Sequence, residues 1–320
     1  MLDLKPLNRI LFLDIETTSQ KENFSDLSEH QQEIFLKRFK KDVEARLTIA
    51  LSAKVVRHEV PVDEATAVAP TKTTAKKKKE VIIPVLSIEE IIENTKKEIL
   101  AQLYNEKAPI FPEFGRILCI SVGALWQNKD ENFFNLKIST FSNEDEKVLL
   151  EEFINHEKLG PIFNALAGKY DKNQDTWALC AFNGKVFDFP YIAKRLIING
   201  FQLPAMFDYA HLKPWEQLHI IDPKEAWSFS VFDAAVSLDC LADIFNIPSS
   251  KDDIDGSEVK DVFWKEKNLS RIVTYCEKDI KALAEVYLRM KSMKEEIRVF
   301  SPVIMAVTDQ SVEKTEETPA

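Results

Sequence analysis

Three short acidic motifs fall in a fixed order along the chain: FLDIETT at Phe12 to Thr18, FNGKVFDFP at Phe182 to Pro190, and YCEKD at Tyr275 to Asp279. Each begins where a different kind of element begins or ends. Asp14 and Glu16 follow the apolar run Ile10 to Leu13, which reads as a buried strand, and side chains two apart on a strand share a face. Asp188 stands after an apolar run, Trp177 to Phe182, and an Asn183-Gly184 turn, just before a helical pattern through Tyr191, Ile192, Leu196 and Ile197. A carboxylate is favoured there by the exposed amides of a first helical turn. Tyr275 and Asp279 lie four apart within an amphipathic stretch from Leu269 to Met290, so phenol and carboxylate share one helix face.

Singly, each motif has a plain structural reading: a solvated strand edge, a capping aspartate, a surface contact. In order, they supply four carboxylates and one phenol. Two divalent cations roughly 3.5–4 Å apart stabilise both the attacking and the leaving oxygen of a phosphodiester. Hard cations prefer oxygen ligands, and these motifs offer Asp and Glu.

The set resembles the DEDD superfamily of 3′–5′ exonucleases in its tyrosine-bearing branch, and more narrowly the bacterial predicted exonucleases related to the proofreading domain of family-B DNA polymerases. The strings that carry the resemblance are FLDIET, PEFGRILCISVG at Pro112 to Gly123, FNGKVFDFPYIAKR, DIDGS at Asp253 to Ser257, and YCEKDIKALAEVYLRM. The resemblance implies an α/β, ribonuclease H-like fold, a mixed central sheet flanked by helices with a long helical and disordered insertion after the first strand. It implies two divalent cations, Mg²⁺ or Mn²⁺, as cofactors. Asp14, Glu16 and Asp279 would hold one, Asp14 would bridge to the second, and Asp188 would join the second partly through water. Tyr275 would position the attacking water, being a poor base near neutral pH. The implied activity is removal of nucleoside monophosphates from 3′ ends of single-stranded DNA or frayed duplexes. RNA remains an alternative substrate, since neither metal site nor phenol reads a 2′-hydroxyl, as does a non-catalytic nucleic-acid-binding scaffold.

Candidate substrate contacts are Asn183, Lys185 and Phe187 around the turn, Arg195 on the following helix, and Ser257 in the Asp255-Gly256-Ser257 loop; Asn183 and Lys185 read equally as a turn-forming Asn-Gly and a solvated lysine, Arg195 as the partner of a surface acid, and the loop as an ordinary turn. Trp215 and Phe182 are candidates for base stacking, though core packing is the stronger expectation for both. Asp222 reads equally as a support of the site or as structural.

The net charge of −10 is unusual for a strong wrapper of duplex, which would set lysine and arginine against phosphates. It fits local recognition of a strand end. The expected partners are therefore single-stranded DNA 3′ ends, with a DNA polymerase or repair partner in trans, and no membrane. Four cysteines, Cys119, Cys180, Cys240 and Cys276, lie in apolar segments without Cys-x-x-Cys spacing and read as reduced core residues. With no signal peptide or bilayer-spanning run, the expected location is cytoplasmic.

At 320 residues and 45% hydrophobic, the chain can bury one substantial core. The expected organisation is one exonuclease domain over 1–305, an insertion over 19–109, and a disordered tail over 306–320. Strands are expected near 9–15, 116–125, 132–141 and 176–182, with a short one at 219–222. Helices are expected near 144–157 and 189–199 and from Pro223 to the end of the fold. Within the insertion, a helical pattern covers about 24–53. The stretch over about 60–80, with Lys76 to Lys79, reads as linker, and a Ser87-x-x-Glu90 capping box opens a helix to about Tyr104.

Overall fold

The computed structural model describes residues 5–58, 87–127, 130–165, 176–231, 236–293 and 296–300. The expected linker and tail lie outside the described residues. In chain order the elements are β1 (Ile10–Ser19), α1 (Glu29–Arg38), α2 (Lys40–His58), α3 (Ile88–Lys107), β2 (Gly115–Trp126) and β3 (Phe133–Ser142). There follow α4 (Glu146–Asn155), α5 (Leu159–Asn164), β4 (Ala178–Cys180), α6 (Asp188–Ile198), β5 (Ile220–Ile221) and α7 (Pro223–Ser228). The last are α8 (Leu238–Ile244), α9 (Val259–Trp264), α10 (Leu269–Met290) and β6 (Glu296–Phe300).

Two compact units result. The first comprises residues 1–16, 117–258 and 268–320. Its sheet has the order β5-β4-β1-β2-β3-β6. β1, β4 and β5 run parallel, β3 runs antiparallel to β2, and β6 runs parallel to β3. This is a mixed sheet flanked by helices, ribonuclease H-like in architecture.

Alternation along β1 divides the core. Leu11, Leu13 and Ile15 join one apolar cluster with Leu149, Phe153 and Leu196, while Ile10 and Phe12 join another with Ile280, Leu283 and Tyr287 of α10. Asp14 and Glu16 continue the second row, so strand periodicity alone aims them at α10. Burying side chains of this size stabilises by about 1.5–3 kcal/mol each, which holds strand and helix in register. The rings of Phe12 and Tyr287 meet edge to face at 5.5 Å.

Gly123 of β2 lets α10 come close. A Cβ there would lie 2.6 Å from Ile280 Cγ2 and 3.0 Å from Leu136 Cδ1, so only a hydrogen fits between strand and helix.

The second unit comprises residues 17–116 and 259–267. Its own core is aromatic, with Phe35, Phe39, Leu103, Tyr104 and Phe114 in one cluster. The capping box at Ser87 and Glu90 forms as expected and opens α3.

Two expectations need correcting. Helices do not run to the end of the fold, because β6 pairs with β3 from Phe133 opposite Glu296 to Lys137 opposite Phe300. Cys240 is exposed, unlike the buried Cys119, Cys180 and Cys276; it occupies the outer face of α8, whose Leu241 and Ala242 are the buried residues.

Candidate metal centre

β1 and α10, distant in the chain, converge on one acidic cluster. Carboxylate oxygens of Asp14, Glu16 and Asp279 all lie within 4.8 Å of one another. Asp14 and Glu16 arrive on the strand's α10-facing row, and Asp279 arrives on a helix whose Ile272, Val273, Cys276 and Ile280 are buried.

Asp188 enters from the opposite side as the first residue of α6, buried at 3% exposure. The turn before it is tightly made. Asn183 takes a left-handed φ of 63°, a conformation asparagine tolerates better than most. Gly184 is needed for proximity: a Cβ there would meet Ala181 Cβ at 2.4 Å. The carboxylate of Asp222 accepts the N–H groups of Asn183 (2.9 Å), Lys185 (3.2 Å) and Lys224 (3.0 Å). Asp222 thus caps α7 and ties that helix to the turn that presents Asp188.

The electrostatics are those of crowded anions removed from water. Burial, then the charges of Asp279 and Asp188, push Asp14 well above the ordinary carboxylate range. Glu16 is raised likewise by burial and by Asp14. Asp188 is pushed up to about 7, chiefly by burial, with hydrogen bonds from its own and the Ile15 backbone acting in the other direction. Asp279 is raised by burial and held down in part by hydrogen bonds from Ser250 and Tyr275 and by the charge of Lys251. The Tyr275 phenol is displaced above its usual value by burial and then by Asp279, Glu16 and Asp14.

This donor set fits divalent cations. It consists of carboxylate oxygens, the preferred ligands of hard cations, and its like charges raise one another's pKa values as uncompensated neighbours do. A bound cation would relieve that repulsion.

Three neighbours of the cluster lie beyond the residues to which the motifs assign a role. The Cys276 thiol donates to Asp14 Oδ2 at 3.3 Å. Ser250 and Lys251 reach Asp279 from the loop after α8, a proximity that no spacing or periodicity announces.

The expected substrate contacts separate into groups. Asn183 and Lys185 lie in the Asp188 turn, where Asn183 Oδ1 accepts from Lys224 Nζ at 3.3 Å and Lys185 pairs with Glu225 at 2.5 Å. Phe187 is half-buried with its ring 5.3 Å from that of Tyr191. Ser257 is exposed, its hydroxyl donating to Asp255 at 2.5 Å. Arg195 is withdrawn from solvent: its Nε donates to Glu146 Oε1 at 2.9 Å and its Nη2 to the other carboxylate oxygen. At 5% exposure it packs as half of a core ion pair in place of a phosphate contact. Phe182 packs in the core as expected, whereas Trp215 is 68% exposed with Lys213 Nζ 5.2 Å from its ring centre.

Among the described residues no helix is long and apolar enough to cross a membrane. The family described as a predicted 3′–5′ exonuclease related to the exonuclease domain of PolB matches residues 111–301, more than half of the chain. No curated protein matches. Among solved structures, the family B DNA polymerase from the hyperthermophilic archaeon Pyrobaculum calidifontis is similar at 16% identity and a TM-score of 0.38, over 59% of this chain and 23% of the polymerase chain.

Proposed function

Because the chain belongs to the family of predicted 3′–5′ exonucleases related to the exonuclease domain of PolB, we propose that it removes nucleoside monophosphates from the 3′ ends of single-stranded DNA or frayed duplexes. The observation that carries this reading is the meeting of Asp14, Glu16 and Asp279 within 4.8 Å, beside buried Asp188 and Tyr275.

In this proposal Asp14, Glu16 and Asp279 would hold one divalent cation, Mg²⁺ or Mn²⁺, and Asp188 with Asp14 would hold a second. The cations supply charge neutralisation at the phosphate and a water acidified enough to attack it. Tyr275 stays protonated, since its phenol is displaced upward. Its single O–H donates to Asp279, and its oxygen would accept from the attacking water, orienting the nucleophile without acting as its base. The Asp222-bound turn keeps Asp188 in place, and the exposed Val186 of that turn, 76% accessible, leaves its surface open to a strand end. A polymerase or repair protein acting in trans is the partner this activity would serve.

The test is digestion of 5′-labelled single-stranded DNA and matched RNA with Mg²⁺ or Mn²⁺, beside EDTA, Asp14→Ala and Asp279→Asn. The expected result is a metal-dependent ladder shortening from the 3′ end of DNA, lost in both variants while their circular dichroism is unchanged. Stronger digestion of RNA would reassign the substrate. Binding of either strand without shortening would replace the reading with a non-catalytic one.

A further inference from the structure

On the sheet face opposite α10, the described residues leave the floor made by β1, β2 and β3 incompletely covered. Leu11, Val122 and Ala124 line it, with Val122 opposite Ser139 and Ala124 opposite Lys137 in the β2–β3 register. α4 ends at Asn155, and the chain turns through His156 to Lys158 into α5. Under this corner, between Ile162 and Trp177, a cavity of about 440 Å³ remains. Pockets of roughly 300–1,000 Å³ are the size that takes a small organic ligand.

The rim carries mainly donors. Lys137 and Lys158 reach it from different elements, both exposed, and among the described residues neither makes an ion pair. His156 Nδ1 accepts the N–H groups of Lys158 (3.4 Å) and Leu159 (3.3 Å). The neutral ring then carries its proton on Nε2, where it is a donor. Ser139 adds a hydroxyl, and among the described residues Glu157 is the one carboxylate lining the recess. In a chain of net charge −10, two uncommitted lysines above an aliphatic floor are complementary to an anion with an apolar body. Trp177 supplies an aromatic wall, its ring carrying the Arg9 guanidinium at 5.3 Å.

We infer that this recess binds a small ligand with a flat, apolar ring system and a single anionic head, carboxylate or phosphate. The rings lie against Trp177 and the Leu11–Val122–Ala124 floor, and the head meets Lys137 and Lys158. An aromatic acid has this chemistry throughout, and a mononucleotide shares the flat ring and the anionic head while its base edge is polar.

Isothermal titration calorimetry of the full chain in EDTA, with dAMP and separately with 2-naphthoate, tests the inference and keeps metal-dependent binding at Asp14, Glu16 and Asp279 out of the signal. The expected result is saturable binding of at least one probe, the tighter one identifying phosphate or carboxylate as the natural head. The uncharged counterparts, deoxyadenosine and 2-naphthylmethanol, should bind at least tenfold more weakly. Lys137→Glu with Lys158→Glu, both at exposed positions that leave folding intact, should weaken the probe at least tenfold, and Ala124→Phe should fill the floor and remove binding. Absence of saturable binding by both probes, or affinity unchanged in the double lysine variant, would overturn it.

Discussion

The thiol of Cys276 donates to Asp14 Oδ2 across 3.3 Å, although 262 residues separate the two. It is a weak donor, yet it faces the carboxylate proposed to touch both cations, and the thiol itself is buried. Outer partners of this kind typically change metal affinity by roughly 10–100-fold when removed. Cys276→Ala should raise the Mg²⁺ concentration needed for half-maximal digestion by about tenfold, while Cys276→Ser, which keeps a donor, should stay near wild type. An unchanged metal requirement in the alanine variant would confine Cys276 to packing.

Asp188 ties stability to pH when cations are withheld. Its pKa rises from 3.8 to about 7 on folding, so between those values the folded chain holds more protons than the unfolded one. Stability then falls as pH rises from about 4 and levels above about 7, a change of roughly 4 kcal/mol at most. Denaturant unfolding in EDTA at pH 5 and pH 8 should show wild type losing stability at the higher pH, Asp188→Asn losing less, and Mn²⁺ restoring wild type. Equal wild-type stability at the two pH values in EDTA would contradict this.

The pairing of Arg195 with Glu146 separates structure from substrate contact. Removing one partner of a buried ion pair costs about 3–5 kcal/mol because the other charge is stranded. Glu146 also accepts the Ile117 N–H at 2.7 Å, which anchors β2 to the same pair. Arg195→Ala should therefore lower the melting temperature sharply, with KM for DNA unchanged below the melt. A stable variant with weakened DNA binding would return Arg195 to the substrate.

Gly123→Ala probes the seating of α10. The added methyl would press on Ile280 Cγ2 at 2.6 Å, and the helix that carries Tyr275 and Asp279 must shift to relieve it. Activity should fall through kcat, with a lowered melting temperature. A second change, Ile280→Leu, moves the branch away from Cβ and should recover part of both. Full activity in the single variant would mean that the strand, and not the helix, gives way.

What was legible in the chain is what local periodicity writes. The two-residue spacing of Asp14 and Glu16 placed them on one strand face, and the amphipathic pattern from Leu269 to Met290 marked α10 to the residue. Less legible were contacts made across long separations. Nothing near Arg195 points to Glu146, 49 residues earlier, and an arginine after an acidic motif looks the same whether it meets phosphate or a core carboxylate. Ser250 and Lys251 reach Asp279 from a polar loop without period. β6 is not legible although Ile297 and Val299 alternate with the charged Glu296 and Arg298, because five residues after a long helix carry too short a pattern to outweigh it.

The distance along the chain between Asp14 and Asp279 also sets when the cluster can exist. Residues leave the ribosome in order, at about 5–20 per second, so the strand carboxylates are synthesised tens of seconds before their partner on α10. A nascent or prematurely ended chain stopping short of that helix holds only part of the acidic set. Whatever cutting power the protein has is thus withheld from any chain that stops before α10, and synthesis through Asp279 becomes a condition of its being armed.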